Sequence, residues 1–304
     1  MTATLPTARS ALAANGICLL SMLTWALGLP ALGHLVQFIP PFSLTAFRVG
    51  LAGIVLVLVW LLVEGPATVL RAPWGRGIGV GLVVMGLGAV LVAVALQLTD
   101  PVTVAIITAL MPLVGIGLEV ALDGRRMTAA LWIGLILSLL GGLVALDLTG
   151  ARPSLGWGAL AAFVSVLAFT WGSRATVSAF PALSPLGRTA ITVAGAGFGM
   201  SIVAAVVAHS GGPAIDWSGI GWKEVAALVA ASVGSIALSQ TLWIISVGQL
   251  GIGISSLHMN AVPFYVMLIT FALGGAWNWA QAIGAAIVVL GVLVAQGMLT
   301  PRRT

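Results

Sequence analysis

Residues 225–301 read VAALVAASVGSIALSQTLWIISVGQLGIGISSLHMNAVPFYVMLITFALGGAWNWAQAIGAAIVVLGVLVAQGMLTP, a run from Val225 to Pro301 with no Asp, Glu, Lys or Arg. A water-facing surface cannot be built without charge, so this stretch asks for a bilayer as its solvent. At about 20 apolar residues per crossing it holds three helices joined by very short hairpins. The breaks fall at Gly248-Gln249-Leu250-Gly251 and Gly274-Gly275. The rest of the chain agrees: 60% of the 304 residues are hydrophobic, 6% are charged, and mean hydropathy is +1.18. Soluble domains carry roughly 25% charged residues. Long apolar runs, not alternating ten-residue segments, select helices over a β-barrel.

Charges and turn residues divide the chain into ten expected spans, near 11–32, 45–63, 77–97, 102–120, 129–147, 156–177, 188–208, 224–246, 252–273 and 280–299. The connectors are short, the longest near 208–223, so no soluble domain is expected. With the N-terminus in the cytoplasm, Arg9, Arg71, Arg76, Arg125, Arg126, Arg174, Arg188, Arg302 and Arg303 lie inside, and Arg48, Arg152 and Lys223 outside. That bias places both termini in the cytoplasm of a bacterial-type inner membrane. The net charge of +5 and pI near 11.1 come from these scattered residues. No basic stripe exists for nucleic acid, which is excluded as a partner. Cys18 stands alone and forms neither a disulfide nor a thiolate metal site. The hydrophobic stretch after Arg9 has no convincing cleavage site and is expected to remain as the first helix.

The two halves echo each other. Thr24-Trp25 in span 1 matches Thr170-Trp171 in span 6, and Pro112 in span 4 matches Pro263 in span 9. Gly134 and Gly141 in span 5 match Gly284 and Gly291 in span 10. An odd number of spans per repeat inverts the second half, an architecture recurrent in secondary transporters. The expected fold is therefore all-α integral membrane, ten transmembrane helices as two inverted five-helix repeats around a central cavity. Residues 11–147 form the first repeat and 156–299 the second. These Trp, Pro and Gly landmarks resemble the EamA-type members of the drug/metabolite transporter superfamily over nearly the whole chain. Within it the likeness runs to exporters of aromatic and other neutral amino acids, carried partly by the surroundings of Thr24-Trp25 and His258-Met259-Asn260. The resemblance implies a central cavity, alternating access and export without ATP hydrolysis.

Polar residues inside spans are costly and therefore informative. In span 8, Ser232, Ser235, Ser239, Trp243 and Ser246 lie within about 80° of one another at 100° per residue, with Gln240 beside them. This stripe is either a cavity wall or a packing seam of small residues. Span 9 carries Ser255, His258 and Tyr265 on one face and Ser256 and Asn260 on its flank. Pro112 and Pro263 kink their helices and withhold the bonds that the carbonyls of Thr108 and Met259 would accept; those carbonyls are candidate acceptors for an ammonium group. In span 1, Asn15, Cys18, Ser21, Met22 and Trp25 share one side. Trp25, Trp171 and Trp243 lie away from the span ends and are candidate cavity aromatics. Trp74, Trp132, Trp157, Trp217, Trp222, Trp277 and Trp279 fall near span ends, as an interfacial belt requires. The candidate substrate-binding set is Trp25, Thr108, Trp171, Ser239, Gln240, Trp243, His258 and Asn260, with no catalytic and no metal-ligating residue.

No Asp or Glu lies mid-span; Glu119, at the cytoplasmic end of span 4, comes nearest. That argues against the acidic first-span residue of the small multidrug resistance design. The only lysine, Lys223, is at a span end, and Arg174 and Arg188 read as orientation anchors. A neutral or zwitterionic solute fits what remains, amino acids first; cationic drugs or other metabolites, and a channel, are the alternatives. No HExxH, GxxxxGK[ST] or GxSxG motif supports an enzyme. No cofactor is expected, the partners are a small solute and the lipid bilayer, and the sequence leaves the oligomeric state open, a monomer being compatible with it. Glu119 and His258 are the candidate titrating groups if protons take part.

Overall fold

The computed structural model describes residues 8–146 and 156–298; Arg152, Arg302 and Arg303, and the expected span ends at 147 and 299, lie outside them. Among the described residues there is no strand. Eight helices are long and apolar enough to cross a membrane: α1 Ser10–Leu35, α2 Pro41–Glu64, α3 Trp74–Leu98, α4 Thr103–Asp123, α6 Trp157–Ser178, α7 Pro185–His209, α8 Trp222–Leu250 and α9 Ile252–Ala272. Two shorter apolar helices, α5 Ala129–Ala145 and α10 Trp279–Ala295, complete the set. In hydrocarbon a backbone N–H has no water to turn to, so helices that satisfy their own groups are the economical answer to this composition.

The helices start and stop where the chain supplies caps. Asp100, Thr128, Ser184 and Asn278 each accept a hydrogen bond from a backbone N–H of the following turn. Between α7 and α8, Asp216 accepts from the Ser218 hydroxyl and N–H, which holds its carboxyl below the usual carboxylate range. Gly251, with φ of +82°, joins α8 to α9 in one residue. Trp132, Trp157, Trp217, Trp222, Trp277 and Trp279 are exposed near helix ends, as a belt at the headgroups should be. Trp74 instead is half-buried, donating to the Val69 carbonyl at 2.8 Å and tilted against the buried Trp60.

Lipid tails are as apolar as leucine, so helices associate through close packing and not through escape from water. Here that packing runs along glycine seams. A Cβ on Gly53 would lie 2.7 Å from the Ala194 backbone, and one on Gly197 would lie 2.7 Å from Gly50, which fixes α2 antiparallel to α7. Likewise Gly134 abuts Gly291 and Ala295, and Gly141 abuts Gly284 and Val288, so α5 runs antiparallel to α10. The Gly77–Gly81 and Gly195–Gly199 pairs meet across a third seam: Gly195 rests on Ile78 and Gly199 on Leu82, making α3 and α7 parallel neighbours.

Five irregularities interrupt the described helices, the first a turn at Gly28 within α1. α3 and α8 contain π-helical segments at Leu82–Leu87 and Ala230–Leu238. α4 breaks at Leu110, before Pro112, and α9 tightens to a 3-10 turn at His258–Ala261, before Pro263. Both kinks expected from the prolines are present. Of the carbonyls expected to be free, that of Met259 is taken up by the Val262 N–H, while at the other break the Leu110 N–H bonds the Ile107 carbonyl at 3.0 Å. A proline removes one donor, and the chain winds tighter to supply another.

The seams make a steric prediction. Gly141→Leu should destabilise the protein by about 1–3 kcal/mol through overpacking, whereas Gly79→Ala, with open space around its Cβ position, should be neutral or slightly stabilising. Thermal melts in detergent would check the contrast; equal melts for both variants would contradict the seam.

Candidate functional site

The largest conjunction of helices is a buried cluster of Cys18 and Met22 from α1, Met111 from α4, Val166 from α6, Trp243, Ile244 and Val247 from α8, and Ile252 from α9. Phe169 and Tyr265 pack on its edge. Trp243 is the centrepiece. It is 2% exposed, its indole N–H donates to Ser173 Oγ at 3.0 Å, and its ring stacks on Phe169 at 6.2 Å. Beside it, sharing Ile244, lies a small enclosed pocket lined by Val84 and Met85 of α3, Thr176 of α6, Thr189, Thr192 and Val193 of α7, and Gln240 of α8. Its free space of about 10 Å³ suits roughly one water. Three threonines and an amide thus face one point, each already near its own helix: Thr176, Thr189 and Thr192 donate back to the carbonyls of Gly172, Pro185 and Arg188. A wider hollow of about 420 Å³ lies elsewhere, between residues 67–73 and 179–183.

The candidate residues divide among three environments. Trp243 and Gln240 join the centre. His258 is buried, its Nδ1 3.2 Å from the Ile254 carbonyl, at the 3-10 turn of α9. Ser239 and Asn260 are helix fasteners: the Ser239 carbonyl accepts from Ser21 Oγ at 2.9 Å, and Asn260 Nδ2 donates to the Ser138 carbonyl at 3.0 Å. Elsewhere in the serine stripe, Ser235 Oγ donates to the Trp25 carbonyl of α1 and Ser246 Oγ lies 3.4 Å from Ser255 Oγ of α9, while Ser232 Oγ bonds back to the Leu228 carbonyl of its own helix.

Three candidates stand outside the centre. Trp171 belongs to an exposed stripe of α6 with Leu160, Phe163 and Leu167, while Thr170 and Gly172 on either side are buried. One residue along a helix turns the side chain by about 100°, and that step carries Trp171 to the lipid side. Thr108 is exposed and bonds back to Val104. Trp25 is half-buried near the Ser235 seam. Sequence reasoning missed Ser173, Phe169, Thr176, Thr189 and Thr192; the spacing Thr170-Ser173-Thr176 and Thr189-Thr192 was the available signal.

The two ends of the bundle differ. At one, Met111–Asp123 of α4 packs closely on Ile252–Leu257 of α9, with Gly115 against Ser256 and Ile252. Buried Glu119 there accepts from Gly253 N–H at 3.0 Å and pairs with Arg125, and Arg174 Nε donates to Asp123 at 2.8 Å. At the other end no comparable packing joins Pro101–Ala109 of α4 to Val262–Ala272 of α9, and Phe264, Tyr265 and Val266 are only half-buried.

The cluster and its neighbouring pocket together draw on seven helices, and α4 packs against α9 more closely at one end than at the other. Residues 12–146 match the EamA-like transporter family. The chain is accordingly a multi-pass membrane protein with an EamA-like domain in its first half. Over 279 residues it is 25% identical to the uncharacterized transporter YyaM of Bacillus subtilis strain 168, covering 88% of each chain. A protein of known crystal structure superposes on it with a TM-score of 0.78 at 27% identity, over 96% of this chain and 99% of its own.

If the Trp243–Ser173 bond holds the centre, a double-mutant cycle of Ser173→Ala and Trp243→Phe should give a coupling of about 1 kcal/mol in stability. Additive effects would mean that the two side chains act independently.

Proposed function

We propose that the chain is a secondary transporter that exports small neutral or zwitterionic metabolites, amino acids including aromatic ones foremost, by alternating access. In this reading α1–α5 and α6–α10 are inverted repeats, with all ten helices crossing an inner membrane and both termini cytoplasmic. At 1.5 Å per residue a 17-residue helix reaches about 26 Å, short of the roughly 30 Å hydrocarbon core but within the observed range of spans.

The observation that carries the reading is the reciprocity of the seams. Gly134 meets Gly291 while Gly141 meets Gly284, and Gly53 meets Ala194 while Gly197 meets Gly50. Exchanging the halves turns each contact into its partner. Two helices that are antiparallel, touching and interchangeable are related by a two-fold axis perpendicular to them, which lies in the membrane plane. Other pairs follow the same exchange. Ser21 Oγ binds the Ser239 carbonyl from α1 to α8, and Ser165 Oγ binds that of Gly88 from α6 to α3. The π-helical segments of α3 and α8 and the breaks before Pro112 and Pro263 also correspond.

With the termini inside, the packed end around Glu119 faces the cytoplasm and the splayed end faces out. Rocking the halves about the axis would open the first and close the second, bringing the threonine-amide pocket into reach of a cytoplasmic solute. Its hydroxyls and amide suit a polar, uncharged or zwitterionic group. Nothing in the path handles ATP, so a solute or ion gradient drives transport.

Reconstitution into liposomes tests this. Amino acids should show saturable, mutually competing uptake, and Gln240→Ala should raise the half-saturating concentration about five- to ten-fold, the cost of one hydrogen bond. Flux that never saturates would identify a channel. Transport confined to quaternary amines or nucleotide sugars would overturn the amino-acid assignment.

A further inference from the structure

Most charges within or beside the helices of this protein have company. Glu119 pairs with Arg125, Arg174 with Asp123, and His34 with Glu224. Arg188 donates to the Phe180 and Pro181 carbonyls, and Glu64 accepts from Ser184. Arg71, Arg126 and Lys223 have no such partner but are exposed, whereas Arg48 is half-buried and has none. It sits seven residues into α2, about 10 Å along the helix from Pro41, and its Nε is buried without a hydrogen-bond partner. The side chain is half-buried, and a guanidinium whose Nε has lost water without gaining an acceptor is costly, a cost that an anion's oxygen would relieve.

Its position is set by its neighbours. Leu44, one turn before, packs with Ala227 and Leu228 of α8; Ala52, one turn after, packs with Ile236 and Ala237. Arg48 therefore lies level with the π-helical segment Ala230–Leu238, whose Ser232 and Ser235 hydroxyls donate elsewhere. The seam contacts relate Gly50 to Ala194 and Gly53 to Gly197. The same offset relates Thr45 to Thr189 and Arg48 to Thr192. Thr189 and Thr192 line the enclosed pocket against the π-helical segment of α3, through Val84 and Met85. Arg48 thus occupies, in the first half, the place that a pocket threonine occupies in the second.

Resting on the transporter reading above, we infer that Arg48 binds the carboxylate of the solute in the outward half of the path. The guanidinium presents two parallel donors that match a carboxylate's two oxygens. The solute then meets neutral hydroxyls in the inward pocket and a cation in the outward one. Substrates are accordingly amino acids or other small organic acids, and not amines or amides of the same size.

The test uses the full-length protein in a zwitterionic detergent without added lipid, with tryptophan fluorescence read against phenylalanine and phenylalaninamide, and against phenylacetate and phenylacetamide. The intact protein should bind each carboxylate more tightly than its amide. Arg48→Gln should weaken the carboxylates about ten- to hundred-fold, as for a lost hydrogen bond to a charged group, and leave the amides unchanged. Should that variant not fold, Arg48→Lys, which keeps the charge and loses the fork, should still cost about ten-fold. No carboxylate preference in the intact protein, or equal weakening of acids and amides, overturns the assignment. So does a preference that appears only with anionic phospholipid present, which would make Arg48 a headgroup contact. Saturable flux without carboxylate preference sinks this site and spares the transporter. Arg48-dependent carboxylate binding without flux in liposomes does the reverse.

Discussion

Two backbones can touch only where no side chain stands between them, and in lipid such contact is the chief source of helix–helix attraction. The glycine seams of α2 with α7 and of α5 with α10 are where this protein meets that condition. Each joins a helix of residues 8–146 to one of residues 156–298, so the same contacts that hold the bundle together tie distant parts of the chain. The polar side chains then work as fasteners across the seams. Ser21 reaches a carbonyl of α8, Ser165 one of α3, and Ser138 one of α9. A hydroxyl in hydrocarbon that finds a carbonyl avoids the cost of an unpaired group, which is why so many of these bonds cross between helices.

Most of the irregular turns lie outside the two glycine seams that join α2 to α7 and α5 to α10. π-helical segments sit in α3 and α8, and the breaks before Pro112 and Pro263 sit in α4 and α9. Those four helices border the centre around Trp243 and its neighbouring pocket. A rigid frame of glycine contacts surrounding broken helices is a division of labour: the frame keeps register while the breaks absorb a change of direction. Glu119 illustrates the point, since its carboxylate accepts the Gly253 N–H at the start of α9 and ties the two broken helices at one end only.

The span positions, the interfacial tryptophans and the two proline kinks were legible in the sequence because each rests on local chemistry. Hydrocarbon thickness fixes length, indole amphipathicity fixes depth, and a missing N–H fixes a break. The site was legible in part. Trp243 and Gln240 stood out as large polar-tipped residues on a helix face and do meet the centre. Trp171 stood out equally and faces away, because a repeat landmark says nothing about rotation of its helix. The serines of α8 read equally as a cavity wall or a packing seam, because a hydroxyl's partner is chosen by whichever carbonyl comes within reach: that of Trp25 in α1 for Ser235, but that of Leu228 in its own helix for Ser232.

By itself the sequence determined that this chain lives in a membrane, where its helices lie to within a few residues at each end, and that its halves share an ordered set of Trp, Pro and Gly positions. Those follow from hydration and backbone bonding, which act over a few residues. Only the tertiary structure decided which faces meet: that Gly134 finds Gly291, that Thr176, Thr189, Thr192 and Gln240 converge on one point, and that Arg48 is left without a partner. Those outcomes depend on helix rotation and on contacts between residues more than a hundred positions apart, which no local pattern encodes.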